Sequence, residues 1–368
     1  MIWIVVFIVF SVLILVHEAG HLIAAKRLGI RVEAFSLGMG KRLFGKKIGD
    51  TDYRISLIPF GGFCQMAGEE PGSGVGHDYE FQAKPAGHRA IVVAAGSVTN
   101  YIFAFILFVI IFMIGVPTQT NKVGEILQGY PAETSGLKID DEIVAINGYP
   151  TKYWEDIVEI IKKEAKFKEK LSLNIDREGK NIVVDIIPDI HEVTNIFGQT
   201  ISRPMIGIAP KNEIEEVKYN PIQAVYFGGK KLLSLTAMTY KGLWLMITGG
   251  MPLKSSAVGP IGIAHFIKDA AKLGIVPLLF VMAYVSMALA IFNLLPFPVL
   301  DGGHIVFLFI EKIRKRPVDV KVQENIMNVA VVLIISFALF VSWQDLLKFT
   351  PLGKKMVQTE EIGSGSKP

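Results

Sequence analysis

Four long apolar runs dominate this chain of 368 residues. They cover residues 2–25, 91–116, 276–300 and 327–343. A helix of roughly 20 apolar residues is long enough to cross the hydrocarbon core of a bilayer. The composition agrees, because 51% of the residues are hydrophobic, 20% are charged and the mean hydropathy is +0.43. The sequence therefore predicts a polytopic α-helical membrane protein with four transmembrane helices, and excludes an ordinary soluble enzyme.

The first apolar run, the cysteine count and the net charge further limit the kind of membrane protein and its partners. The run lacks a basic leading region and a small-residue cleavage site, so we expect a retained span and not a signal peptide. Cys64 is the single cysteine, which excludes an intramolecular disulfide and a paired-cysteine metal site. The net charge is only +4, and the basic residues cluster beside apolar runs. We therefore expect contact with membrane lipid and no nucleic-acid partner.

Basic residues also predict the orientation of the chain. Seven lysines and arginines lie within residues 26–47, and five lie within residues 312–321. Because short cytoplasmic loops carry an excess of such residues, both loops are predicted to face the cytoplasm. Both termini and the long stretch between the second and third spans are then extracytoplasmic.

A fifth segment, residues 224–247, is apolar but carries Lys230, Lys231 and Lys241 along its middle. We expect an amphipathic helix on the outer membrane surface. The alternative, a fifth span, would reverse the orientation of everything that follows.

The sequence HEAGH stands near the end of the first apolar run, with His17, Glu18 and His21. Residues four apart share one face of a helix, so both imidazoles can reach one ion with Glu18 beside them. This pattern binds zinc and supplies a general base for amide hydrolysis. The alternative is a set of polar groups at the solvated end of a membrane anchor. Ionisable groups within an apolar helix are costly, however, and usually functional.

The third apolar run ends in the sequence NLLPFPVLDGG, residues 293–303. Its two prolines must break the helix, and freed backbone at membrane depth is tolerated only around a cavity. An unpaired Asp301 would be costly there, whereas an Asp301 bound to a divalent cation would not. Two imidazoles and one carboxylate leave a fourth zinc position for water. His304, three residues after Asp301, is a rival ligand.

Two further segments carry their own patterns. Glycine-punctuated, β-prone residues between about 41 and 68 predict a membrane-associated β-hairpin on the cytoplasmic side. Its free edge is expected to add a strand to an extended peptide, and the alternative is a hairpin without a ligand role. Residues 129–148, which read GYPAETSGLKIDDEIVAING, resemble a PDZ domain with an α+β fold. Such a domain binds a peptide or protein segment by strand addition, or acts only as a steric plug.

Together, HEAGH and NLLPFPVLDGG resemble the site-2 protease family of intramembrane zinc metalloproteases, of the bacterial RseP type. The resemblance covers nearly the whole chain. GGFCQM at 61–66 is similar to the GGYVKM hairpin of that family. GSVTN at 96–100 fits its GxxxN element, and GPIGIA at 259–264 fits the stretch before its third span. Where members carry two PDZ domains, this chain has room for one.

The resemblance implies a set of site residues. Zinc, one ion per chain, would be bound by His17, His21 and Asp301, with Glu18 as the base. Substrate would be held by the following residues: Asn293, Gly61, Gly62, Phe63, Asn100 and Pro298. For Asn293 the alternative is a cap on broken backbone.

The resemblance also implies a cellular setting and a substrate class. The protein would lie in the bacterial cytoplasmic (inner) membrane, with its active site near the cytoplasmic side. Substrates would be single-span membrane proteins with a cytoplasmic amino end, such as anti-sigma factors or remnant signal peptides.

The predicted organisation has five parts. They are a first membrane core part at 1–118, the PDZ domain at 119–190, a segment with the surface helix at 191–274, a second core part at 275–346 and a tail at 347–368. Two other function classes remain open, an inactive PDZ-bearing scaffold that binds no zinc and a metal transporter or sensor. The transporter class would require polar residues continuing across the bilayer, and the first, third and fourth spans show no such trail on the outer side.

Overall fold

A computed structural model describes residues 2–70, 76–164, 169–195, 197–251 and 258–349. Of the tail predicted at 347–368, residues 350–368 lie outside the described residues. The chain divides into two compact units. The first unit contains Met1–Ile111, Gln223–Lys241 and Leu253–Pro368, and the second contains Phe112–Ile222 and Gly242–Pro252.

The described helices are, in chain order, α1 (Ile2–Arg27), α2 (Ala86–Ile114), α3 (Pro131–Thr134), α4 (Trp154–Glu164), α5 (Pro221–Ile247), α6 (Pro260–Leu273), α7 (Ile275–Asn293), α8 (Asp301–Arg314) and α9 (Val320–Phe349). The described strands are β1 (Val32–Ile48), β2 (Thr51–Met66), β3 (Val116–Gln119), β4 (Val123–Ile126), β5 (Glu142–Ile146), β6 (Tyr149–Pro150), β7 (Leu171–Arg177), β8 (Lys180–Ile186), β9 (Asp189–Thr194), β10 (Thr200–Met205), β11 (Ile208–Pro210) and β12 (Ile214–Val217).

Among the described residues, α1, α2, α7 and α9 are long and apolar enough to cross a membrane. This confirms the prediction of four apolar helices of spanning length, while their orientation stays a prediction. Many of their large apolar side chains, such as Val332 and Leu339 of α9, are exposed. Contact with lipid would account for this exposure, which is unusual for a soluble protein.

The third spanning helix is shorter than the apolar run that predicts it. Helix α7 ends at Asn293, and the chain returns to a helix only at Asp301, the first residue of α8. Pro296 and Pro298 lie in the break, since a proline lacks an amide hydrogen and restricts the residue before it. The break is predicted by the prolines, but the new helix that starts at Asp301 is not.

The predicted hairpin begins earlier in the chain than expected. Strands β1 and β2 pair with each other, and residues 34–37 of β1 have partners on both sides: 62–65 in antiparallel register and 52–55 in parallel register. Gly38 and Gly40, with φ of +88° and +84°, lie where β1 bends back. Residues 61–66 therefore form an edge of this small sheet. Gly62 brings that edge against α1, where an added Cβ atom would lie 3.4 Å from Cγ of Glu18.

The second unit is built around a four-stranded sheet with the order β6–β5–β7–β8. Its core contains Ile143, Ile146, Leu173 and Ile175 from the sheet and Ile157 from α4. The strand pairs β4–β11, β3–β12 and β9–β10 complete the unit. The unit is thus larger than the predicted PDZ range of 119–190, because strands beyond residue 190 return to pair with β3 and β4.

Helix α5 forms over the segment predicted as a surface helix, and its residues in the first unit pack lengthwise against α2. Gly228 lies against Phe108 and Val109, and the hydroxyls of Thr236 and Tyr101 are 3.0 Å apart. Residue numbers of the contacting pairs rise along α5 while they fall along α2, so the two helices run antiparallel. The sequence did not predict this packing, and the position of α5 on the membrane surface stays a prediction.

Candidate metal centre

The spacing in HEAGH places both imidazoles on one face of α1. The Nε2 atoms of His17 and His21 are 3.2 Å apart, and the two rings meet edge to face. Both side chains are largely buried. Local helix geometry is sufficient to explain this pair, because residues i and i+4 are neighbours on a helix surface.

Asp301 reaches the same point from the first turn of α8. Its Oδ2 atom lies 3.3 Å from Nε2 of His17 and 3.8 Å from Nε2 of His21. Donor atoms around a tetrahedral zinc, bound at about 2.0–2.2 Å, are roughly 3.3–3.5 Å from one another. The nitrogen and oxygen donors suit zinc as well, so the three residues fit the ion. Among the described residues this is the one cluster of three or more such ligands, and it does not include His304.

Residues of α2 orient two of the ligands, His21 and Asp301, through hydrogen bonds. Nδ1 of His21 is 2.8 Å from the backbone carbonyl of Val92. Since a carbonyl can only accept, Nδ1 carries the proton, and Nε2 is left with its lone pair for a metal. The hydroxyl of Ser97 donates to Oδ2 of Asp301 at 3.4 Å. Nδ1 of His17, by contrast, is buried and has no hydrogen-bond partner within the described part of the chain.

Gly96 of α2 provides the space in which the imidazoles sit. An added Cβ atom would lie against Nε2 of His21 and only 2.7 Å from Cε1 of His17. Gly20 of α1 has the same role toward α2, where an added Cβ would meet the backbone of Ala95 and the hydroxyl of Thr99. These contacts explain why the two helices approach so closely at the cluster.

The substitution Gly96→Ala is therefore expected to weaken zinc binding. The methyl group must displace one or both imidazoles, and disturbed contacts around metal ligands typically cost roughly 10–100-fold in affinity. In a helix without such a clash, the same substitution would be favourable by about 0.5–1 kcal/mol. Zinc affinity measured by chelator competition checks this. Gly87→Ala, on the same helix with no neighbour within 4 Å, is the matched control; equal affinities in both variants would contradict the prediction.

Glu18 faces a cavity of about 1530 Å³ in the first unit. Its walls also include His21, Asp301, His304 and Phe63. The cavity is large enough for an extended peptide segment and for water. Its described wall does not include Asn100, Asn293 or Pro298.

Cys64 lies beside Glu18 on the hairpin edge. Burial, and then the negative charge of Glu18, raise the pKa of the Cys64 thiol to about 12. The thiol therefore stays protonated at neutral pH and is a poor nucleophile or metal ligand.

The other predicted substrate residues lie in different places. Asn100 is fully buried in α2, its side-chain amide has no partner among the described residues, and its backbone carbonyl accepts from Ser286. Asn293 is the half-buried last residue of α7. Pro298 lines a separate apolar cavity of about 380 Å³. Gly61, with φ of +86°, precedes Gly62 and Phe63 on the hairpin edge.

Sequence reasoning missed two residues of α2 that contact the cluster, Val92 and Ser97, and the buried Arg89 on the same helix. Val92 acts through its backbone, which no side-chain pattern can reveal. Ser97 was quoted only as part of the GSVTN element. The buried Arg89 forms an ion pair with the half-buried Glu311 of α8, and no local pattern connects residues 222 positions apart.

Comparison with known proteins gives a consistent result. The model of the family described as Peptidase family M50 matches residues 5–337. A protein from Campylobacter jejuni is 32% identical, over 92% of this chain and 91% of its own. The zinc metalloprotease RasP of Geobacillus kaustophilus is 30% identical (93% and 97%), and the regulator of sigma-W protease RasP of Bacillus subtilis is 29% identical (92% and 96%).

Among solved structures, the PDZ domain of an SdrC-like protein from Listeria monocytogenes is 22% identical to part of the chain. The match covers 26% of this chain and 90% of that one, with a TM-score of 0.20. The family model, by contrast, extends over most of the chain, and several relatives match over nine tenths of their length. The chain belongs to peptidase family M50, the site-2 protease family, and is a zinc metalloprotease.

Proposed function

We propose that this protein is an intramembrane protease that hydrolyses peptide bonds within the transmembrane segments of single-span membrane proteins. One observation carries the proposal. The donor atoms of His17, His21 and Asp301 lie 3.2–3.8 Å apart. The two histidines belong to α1, an apolar helix of spanning length, and Asp301 belongs to α8, the helix that follows the spanning helix α7. Ionisable groups at such positions are costly unless they serve a site.

His17, His21 and Asp301 would hold one zinc ion per chain. When bound, zinc supplies a Lewis acid that polarises the scissile carbonyl and a water whose pKa is lowered to about 7. Glu18 is the general base that takes the proton from the attacking water. It then delivers that proton to the amine nitrogen as the peptide bond breaks.

A transmembrane substrate must unwind before it can be cleaved, because its carbonyls are engaged in its own helical hydrogen bonds. The hairpin edge at residues 61–66 is suited to compensate for those lost bonds. It lies beside Glu18, and an extended peptide that adds to it as a strand would find backbone partners there. Gly62 permits the close approach, and Phe63 lines the same cavity. Asn100, Asn293 and Pro298 are proposed as further substrate contacts.

The basic loops after α1 and α8 support a cytoplasmic location for the site, and hence an extracytoplasmic location for the second unit. The relative from Bacillus subtilis is named as a regulator of a sigma factor. We accordingly propose an anti-sigma factor or a remnant signal peptide as the substrate of this chain. The second unit, read as a PDZ domain, would bind a peptide segment or filter substrates by size.

Cleavage of a model single-span substrate by the purified full chain tests the function. The wild type is expected to cut the substrate within its apolar segment, to lose activity after zinc removal by a chelator, and to regain it when zinc is restored. A substrate with two glycines in that segment should be cut faster than an all-leucine version, because its helix unwinds more readily. A zinc-free wild type without cleavage would instead indicate the inactive scaffold.

A further inference from the structure

Arg89 of α2 and Glu311 of α8 form an ion pair in the first unit, donated by Nη2 to Oε1. The Arg89 side chain is only 8% exposed. Its other nitrogens are also engaged, since Nε donates to the Lys84 carbonyl at 3.0 Å and Nη1 to Gln82 at 2.9 Å. A buried ion pair rarely contributes much stability, because removing two charges from water offsets their attraction. The pair therefore calls for a role other than stability.

The guanidinium lines the same cavity as Glu18, which makes an anion-binding role the first alternative. That role does not fit the contacts. Each nitrogen of Arg89 already donates to a protein acceptor, which leaves one N–H on each Nη atom, and a product carboxylate at Nη2 would lie beside the Glu311 carboxylate. The geometry instead favours a role in holding α8 in place against α2.

Helix α8 is attached to α2 at three levels. Asp301 accepts from Ser97 at its start, Leu308 shares a buried cluster with Val92 and Val93, and Glu311 meets Arg89 near its end. Positions fall from 97 to 89 on α2 while they rise from 301 to 311 on α8, so the helices run antiparallel. At 1.5 Å per residue the attachment covers about 12 Å of one and 15 Å of the other. A helix held at both ends cannot slide or rotate freely.

The same face of α2 also holds α1. The Val92 carbonyl accepts from His21, and Gly96 receives the imidazoles. Helix α2 thus connects the helix that carries the histidines to the helix that carries the aspartate. Without the ion pair at Glu311, α8 would be held against α2 by the apolar packing of Leu308 and by the 3.4 Å contact between Ser97 and Asp301.

We propose that Arg89 and Glu311 are positioning residues that hold the Asp301 carboxylate at zinc-binding distance from His17 and His21. They are not among the clustered metal ligands, and they act on Asp301 through the rigidity of α8. The inference rests on the proposed zinc site. It predicts that breaking the pair weakens zinc binding even when the protein remains folded.

The test compares Arg89→Met, Glu311→Gln and the double variant in the full chain, purified in detergent, stripped by chelator and titrated with zinc against a chelating indicator. Each single variant is expected to bind zinc roughly 10–100-fold more weakly, the usual effect of losing an outer-shell support. The double variant is expected to bind no more weakly than Arg89→Met, because the two residues act as one unit. The visible spectrum of bound cobalt(II) should change as well, since it depends on ligand number and geometry.

Arg177→Met is the matched control. It breaks the ion pair with the buried Asp141 in the second unit, so it should lower the thermal stability of that unit and leave zinc affinity and the cobalt spectrum unchanged. If Arg89→Met fails to fold, the zinc affinity of Glu311→Gln decides whether the pair has the positioning role, because glutamine keeps the side-chain shape. Wild-type affinity and spectrum in the folded pair variants would overturn the positioning role alone. Absence of zinc from the wild type would overturn the proposed function, and the positioning role with it.

Discussion

Glu18→Gln is expected to abolish peptide hydrolysis while leaving zinc binding intact. Glutamine has nearly the same shape as glutamate but cannot accept a proton at neutral pH, so both proton transfers assigned to Glu18 are lost. General acid–base catalysis typically contributes about 10²–10⁴-fold, which sets the expected loss of turnover. The metal should remain, because the neighbouring His17 and His21 supply their own donor atoms and Glu18 is not among the clustered ligands.

The measurement pairs zinc analysis with cleavage of the model substrate. Glu33→Gln, the same change at an exposed position on β1, should behave as the wild type. Full activity in the Glu18 variant would end its assignment as the base. Loss of zinc from that variant would instead indicate a structural role for the carboxylate.

Asp301→Ala is expected to remove both zinc and activity. The substitution leaves two imidazoles, and no other described carboxylate belongs to the cluster. Loss of a direct ligand should weaken binding by more than the roughly 10–100-fold that accompanies loss of an outer-shell partner. The hydroxyl of Ser97 would also lose its acceptor.

Zinc content of Asp301→Ala and His304→Ala, measured side by side, distinguishes the two candidate ligands. His304 lies one turn along α8 from Asp301 and lines the same cavity, yet it falls outside the cluster. We expect the His304 variant to keep its zinc. The opposite pattern, with zinc retained in Asp301→Ala and lost from His304→Ala, would show that His304 and not Asp301 is the third zinc ligand.

The comparison between sequence and structure is clearest at the ends of helices. Pro296 and Pro298 predict that the third spanning helix breaks, because proline cannot continue a helix wherever it occurs. They do not predict where the next helix begins. Asp301 occupies the first turn of α8, and α8 shares a buried cluster with α2 through Leu308 and Val92, residues that are far apart in the chain.

The hairpin gives a second example. Its glycines and β-prone residues predict strands between about 41 and 68, and β1 and β2 include that region. The start of β1 at Val32 and the double pairing of residues 34–37 depend on partners up to 34 positions away, which a local pattern does not reveal. The same holds for α5, where lysines predict a surface helix but Gly228 packs against α2.

Features that depend on short-range geometry could be derived from the amino-acid order: helices long enough to cross a bilayer, and two imidazoles on one face of α1. Each follows from the rise and period of a single helix, and the pair of motifs was enough for the family resemblance. Features that join distant residues could not. The 3.3 Å approach of Asp301 to His17, the Val92 carbonyl that orients His21 and the Arg89–Glu311 pair all exist because three helices pack together, and packing is a property of the whole chain.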